Sequence, residues 1–74
     1  MQITVKLFAT FRIGRFISAS QHCRPGTRIA DVVSMLGIPQ AELGMVMLNN
    51  KHAGLEQMLE DGAHVSLFPL LGGG

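Results

Sequence analysis

A single amphipathic helical repeat, set between runs that alternate with period two, is what most limits the folds open to this chain. Ile29, Val32, Val33 and Leu36 recur at i, i+3, i+4 and i+7, so a helix over this stretch carries four apolar side chains on one face. That face has to be buried against another element. Near the start Ile3, Val5 and Leu7 alternate with Thr4, Lys6 and Phe8, and near the end Val65 and Leu67 alternate with His64, Ser66 and Phe68. Both runs read as strands with one face in a core. One helix lying on one side of a sheet satisfies both periods, which makes the fold class α+β.

Punctuation residues give the order of the remaining elements. The first strand is expected over residues 2–8, and a loop around Gly14 leads to a weaker extended run over 15–22, the two forming an antiparallel hairpin with a long loop. Arg24-Pro25-Gly26 is turn chemistry, and Thr27 is placed to cap a helix that begins at Arg28. Gly37 suits the left-handed position that closes a helix, and Pro39 prevents its resumption. A short helical turn over 39–43 precedes Met45-Val46-Met47-Leu48, an apolar run read as a central strand covered on both faces and stopped by Asn49-Asn50. His52 and Ala53 return as a short strand, residues 55–59 make another turn, and Asp61-Gly62 reverses the chain into the last strand.

With 74 residues there is room for one domain, close to the lower limit for a core held without disulfides or metals. Apolar residues make up 47% of the chain and charged ones 15%, which excludes a disordered polyelectrolyte. Phe is the only aromatic type, so Ile, Val, Leu and Met must fill the interior, with Met45 and Met47 expected as core filler. The packed domain is expected over residues 1–71, with 72–74 as a flexible glycine tail.

Enzymatic signatures are missing. There is no GxxxxGK[ST] loop, no GxGxxG after a strand, and no pair of Cys or His at metal-ligand spacing. His22 and Cys23 are neighbours, but adjacent strand residues point to opposite faces, and His52 and His64 stand alone; none is assigned a catalytic or metal role. One cysteine allows no internal disulfide, which together with the lack of an apolar segment near the ~20 residues of a membrane span points to the cytoplasm. Lys6, Arg12, Arg15, Arg24 and Arg28 all precede Ile29 with no acid among them. This asymmetry suits either a docking face or ordinary solvated strands, and without aromatics interleaved it does not suggest nucleic acid.

The end of the chain resists a purely structural reading. The last strand runs through Phe68-Pro69-Leu70-Leu71 into Gly72-Gly73-Gly74. Glycines without side chains make the narrowest peptide available, able to enter a channel closed to any residue with a Cβ. Such a peptide can deliver the Gly74 carboxylate into another protein's active site. A carboxylate is a poor acyl donor until it is activated, commonly as an acyl-adenylate formed with ATP, and this chain has no evident nucleotide site. Activation would belong to a partner.

Residues along nearly the whole chain resemble those of the small ubiquitin-like sulfur carriers, the family of the small subunit of molybdopterin synthase and the thiamine-biosynthesis sulfur carrier. The resemblance rests on Lys6-Leu7-Phe8-Ala9-Thr10-Phe11-Arg12, Gly26-Thr27, Asn49, Asp61-Gly62 and Val65-Ser66-Leu67-Phe68-Pro69 leading to Gly73-Gly74, in that order and spacing. It departs where the family often has an acid, here Ala63, and a second proline, here Leu70. The resemblance implies a β-grasp (ubiquitin-like) fold, a mixed sheet wrapped on one main helix. It implies that the chain is a carrier, not an enzyme, and binds no cofactor. An adenylating enzyme of the ubiquitin-activating type would use ATP to activate Gly74, a persulfide donor would convert it to a thiocarboxylate, and Gly72 and Gly73 would thread it to the acceptor. The Phe-Ala-Thr-Phe-Arg stretch and Phe68-Pro69 look closer to the molybdopterin branch, whose acceptor is the large synthase subunit; a thiazole synthase, another sulfur pathway, or a role as ubiquitin-like protein modifier or non-catalytic interaction module stays open. Phe68, Leu70 and Leu71 are the expected partner-binding residues.

Overall fold

A computed structural model describes residues 1–71. The glycine tail assigned to 72–74 lies outside the described residues. Five strands and one α-helix follow one another as β1 (Gln2–Leu7), β2 (Ser18–His22), α1 (Ile29–Met35), β3 (Leu43–Leu48), β4 (Lys51–His52) and β5 (His64–Pro69). Two 3-10 turns, Ala9–Arg12 and Gln40–Glu42, lead into β2 and β3.

The sheet order is β2-β1-β5-β3-β4, with β1 and β5 parallel at its centre and every other pair antiparallel. The turn before β5 is bonded to the start of β1: Gly62 N–H donates to Gln2 O (2.7 Å), Gln2 N–H to the Asp61 carboxylate (2.8 Å), and Thr4 N–H to Ala63 O (2.9 Å). This seam sets Val5 beside Val65 and Leu7 beside Leu67, so the apolar sets of the two strands fall on one face.

Helix α1 covers that face. Ile3, Val5, Leu7, Val65 and Leu67 meet Ile29, Val32 and Val33, all of them fully buried, and Phe11, Ile38, Leu59 and Ala63 close the rim. Full burial of each such side chain contributes roughly 1.5–3 kcal/mol. The expected helical face is the observed one, with Leu36 partly buried at its end.

The helix begins one residue later than predicted. Thr27 does not cap it; its hydroxyl donates to Arg24 O (2.7 Å) and closes the preceding turn, while Arg28 holds the cap position. An arginine side chain has no acceptor to offer the first turn, so the contribution comes from Asp31, whose carboxylate accepts Arg28 N–H at 2.8 Å. At the other end Gly37 takes φ +69°, its N–H reaches Ser34 O, and Ile38 N–H reaches Val33 O, the paired bonds of a Schellman stop, with Ile38 buried beneath.

Strand β3 differs from its sequence reading. It is fourth in the sheet and covered on one face only. Val46 opposite Leu67 and Leu48 opposite Val65 face the helix, whereas Met45 opposite Phe68 and Met47 opposite Ser66 lie on the open face, half-buried. The two methionines are therefore not core filler, because a single helix leaves the other face of the sheet uncovered. Asn49 and Asn50 both adopt positive φ (51° and 67°) in the two-residue turn that returns the chain to β4.

Candidate functional site

Parallel pairing carries β1 and β5 to the same end of the molecule, and there the chain leaves the fold toward the glycines. Phe8, just beyond β1, and Phe68 on β5 project from the open face. Their rings stack with centroids 4.1 Å apart and an interplanar angle of 11°. The Arg12 guanidinium carbon stands 5.4 Å from the Phe8 centroid, held there by a 2.8 Å bond from Arg12 Nε to Leu7 O. Phe68 is thus half-buried against another aromatic and lies outside the helix-side core.

The next residues are held by main-chain contacts. Pro69 is buried and pairs with Leu43; a bulge between Leu43 and Met45 lets Gly44 approach it. A Cβ on Gly44 would stand 2.6 Å from Pro69 O, 2.9 Å from Pro69 C and 3.0 Å from Leu70 N, so only glycine fits. Leu70 N–H then donates to Glu42 O at 2.9 Å. The side chains of Leu70 and Leu71 are exposed, at 60% and 82%. The structure therefore brings Phe68, Leu70 and Leu71 to one exit, while Gly72, Gly73 and Gly74 lie outside the described residues.

Sequence reasoning missed the supports of this exit. Phe8, at the end of the β1 alternation, gave no sign of its distant partner Phe68. Gly44 directly before an apolar run was the one available signal of close backbone approach. The loop after β1, which the sequence marks only by Gly14, buries Phe11, and Arg15 pins it by donating to Phe11 O (3.2 Å), Leu36 O (3.0 Å) and Gly37 O (3.3 Å).

The histidines and the cysteine, to which the sequence assigns no role, do not converge either. His22, His52 and His64 are exposed on β2, β4 and β5, and Cys23 is buried with its main chain paired to Met1. Among the described residues no three His, Cys, Asp or Glu side chains are gathered as a metal would require. No helix there is long and apolar enough to cross a membrane. The open face forms a shallow hollow of about 620 Å³, in which Lys6 lies between Ser18 on β2 and Ser66 on β5. Part of the basic excess has local partners: beside Arg12 and Arg15, Arg28 bonds Glu56 O (2.9 Å) and stands 3.5 Å from the Glu56 carboxylate.

A family model described as Mut7-C ubiquitin matches residues 4–72, a span that runs from within β1 to beyond the end of β5. The chain belongs to the Mut7-C ubiquitin family. Solved structures share the fold of this Mut7-C ubiquitin chain. SAMP1 from Haloferax volcanii is 20% identical over the full length of both chains, with a TM-score of 0.78. A putative molybdopterin converting factor, subunit 1, from Pyrococcus furiosus is 22% identical, over 93% of this chain and 97% of that one, with a TM-score of 0.76. The complex of subunits 1 and 2 of the molybdopterin-converting factor from Helicobacter pylori 26695 contains a chain 18% identical over the full length of both, with a TM-score of 0.67. No curated protein sequence matches. The ubiquitin-like β-grasp fold expected from the sequence is the fold observed.

Proposed function

We propose that this chain is a carrier whose Gly74 carboxylate is adenylated by a partner, converted to a thiocarboxylate, and used to donate sulfur in the synthesis of a molybdenum or tungsten pterin cofactor. The observation that carries the reading is the exit: main-chain contacts at Gly44 and Glu42 hold the chain as far as Leu70, beside exposed apolar residues, just before Gly72-Gly73-Gly74. The names of the P. furiosus and H. pylori neighbours favour the molybdopterin branch over thiamine thiazole synthesis or another sulfur pathway. The second of them favours a large synthase subunit as acceptor.

In this scheme the Gly74 carboxylate attacks the α-phosphate of ATP and pyrophosphate leaves. A persulfide sulfur then attacks the acyl-adenylate carbonyl and AMP leaves. A thiol cleaves the resulting acyl disulfide, itself becoming part of a disulfide, and the thiocarboxylate remains on Gly74. The thiocarboxylate sulfur then attacks an acceptor carbon and expels an oxygen leaving group from it, and water hydrolyses the resulting acyl–sulfur bond, which leaves sulfur on the acceptor and restores the carboxylate. No side chain of this chain takes part; it supplies a narrow peptide and a surface for docking.

A second reading has its own support, because SAMP1 is also described as a small archaeal modifier protein. In that role the activated Gly74 carbonyl would pass to a lysine amine. One experiment separates the readings: the chain is incubated with its cognate adenylating enzyme, ATP and a persulfide donor, alongside a variant lacking Gly74. ATP-dependent activation that is lost without Gly74, with unchanged thermal unfolding, is expected. Activation that persists without Gly74 refutes both readings, and lysine-linked adducts in place of a thiocarboxylate favour the modifier.

A further inference from the structure

The two edges of the sheet are built differently. At one edge β4 is only two residues long and carries Lys51, and β3 beside it is bulged between Leu43 and Met45. A very short strand, a lysine and a bulge are the usual means of keeping a sheet edge from pairing with another chain. The other edge has none of them. Strand β2, Ser18-Ala19-Ser20-Gln21-His22, contains no Lys, Pro or Gly and pairs with β1 in unbroken register over its whole length.

The bonding shows which of its main-chain groups are free. Leu7 N–H donates to Ile17 O at one end of the hairpin, and Cys23 N–H donates to Met1 O at the other, with the Met1 amine returned to Cys23 O. Bonded and non-bonded pairs alternate along an antiparallel ladder, so Ile17, Ala19, Gln21 and Cys23 turn their N–H and C=O groups to β1. Ser18, Ser20 and His22 turn theirs outward, and among the described residues none of these groups bonds to another segment.

Three outward residues spaced evenly about Ser20 are complementary to themselves. When a second β2 runs antiparallel with Ser20 opposite Ser20, Ser18 of each copy meets His22 of the other, and every outward N–H faces a C=O. A slip of register along the edge leaves some of these groups without a partner. Side chains agree with the centred register. Ala19 and Gln21, opposite the buried Val5 and Ile3, lie on the helix side and meet each other across the seam, while the hydroxyl of Ser20 meets its own copy on the open side. The strand has no Asp, Glu, Lys or Arg, so no fixed like charges oppose, and a net charge of +1 per chain resists association little. One position further out the same register sets Ile17, 60% exposed in the single chain, against Cys23 of the second copy.

We infer that two copies of this chain associate about a two-fold axis at Ser20, joining their sheets through β2 into one continuous sheet. Strand β5 is third from this edge, behind β1, so the tail leaves the dimer unobstructed.

Sedimentation equilibrium of the full chain over a concentration series tests this. The seam is short beside a standard interface, so the wild type is expected to pass from monomer to dimer in the upper micromolar range. Ser20→Lys and Ser20→Glu each bring like charges face to face on the axis and are expected to raise the dimer Kd about fivefold, with thermal unfolding at low concentration unchanged because Ser20 is exposed in the single chain. Mixing the two variants in equal amounts sets opposite charges together and is expected to return Kd to about the wild-type value. His52→Glu, on β4 at the protected edge, is the control and should leave Kd unaltered. A wild-type chain that stays monomeric up to its solubility limit overturns the inference, as do unchanged affinity in both Ser20 variants, a mixture that associates no more tightly than its parents, or an equal loss in His52→Glu.

Discussion

Replacing Gly44 with alanine places a single methyl group where the fold leaves no space. The new Cβ would lie 2.6 Å from Pro69 O, against the 3.4 Å at which ordinary contact begins, so main-chain atoms must retreat by about 0.8 Å. No flexible side chain can absorb the movement, since all three neighbours are backbone. Overpacking of this kind costs about 1–3 kcal/mol, and parting the strands also weakens the 2.9 Å bond from Leu70 N–H to Glu42 O, a further 0.5–1.5 kcal/mol or so. The lower entropy of the unfolded alanine chain returns roughly 0.4–1 kcal/mol. A net loss of about 2 kcal/mol follows, which in a domain of this size lowers Tm by roughly 8–16 °C. Thermal unfolding by circular dichroism measures it, and amide exchange at Leu70 reports whether the exit opens first. Gly54→Ala is the control: nothing lies within 4 Å of its Cβ position, and a change within about 0.5 kcal/mol is expected. Unaltered stability and unaltered Leu70 protection in Gly44→Ala would refute the claim that bare backbone at residue 44 fixes the exit.

Further outcomes follow from the same contacts. A double-mutant cycle on Phe8→Ala and Phe68→Ala should show a coupling of about 0.5–1.5 kcal/mol in denaturant unfolding, the value of a stacked aromatic pair; additive losses would mean the stack contributes nothing. Arg15→Lys keeps the charge but cannot fork to three carbonyls, and a loss of about 1 kcal/mol in urea unfolding is expected. Asp31→Ala removes the acceptor of Arg28 N–H at the start of α1 and should cost roughly 0.5–2 kcal/mol by the same assay. Leu67→Ala empties a fully buried central site and should cost about 2–5 kcal/mol.

What could be read from the sequence was whatever depends on local period and local chemistry. The alternation through Ile3, Val5 and Leu7 and the helical face at Ile29, Val32 and Val33 are set by backbone geometry, and the structure buries all six residues. Gly37 ended the helix for a reason visible in one residue. Readings went astray where the deciding neighbour is distant in the chain. Thr27 is a good cap in isolation, but its hydroxyl serves the Arg24 turn, and Asp31 supplies the contact at the helix start. The Met45–Leu48 run has the composition of a strand covered on both faces; only the number of helices shows that one face stays open. The exit followed the same rule. Leu70 and Leu71 are exposed, whereas the Phe8 stack, the Gly44 approach and the Arg15 anchor each join residues that tertiary structure alone brings together.

The central claim concerns one atom at the end of the chain. After incubation with the cognate adenylating enzyme, ATP and a persulfide donor, intact-protein mass spectrometry with fragmentation of the C-terminal peptide should find one oxygen replaced by sulfur, located on Gly74. An unchanged mass under conditions in which the enzyme binds the chain and consumes ATP, or a sulfur found on Cys23 and not on Gly74, would contradict it.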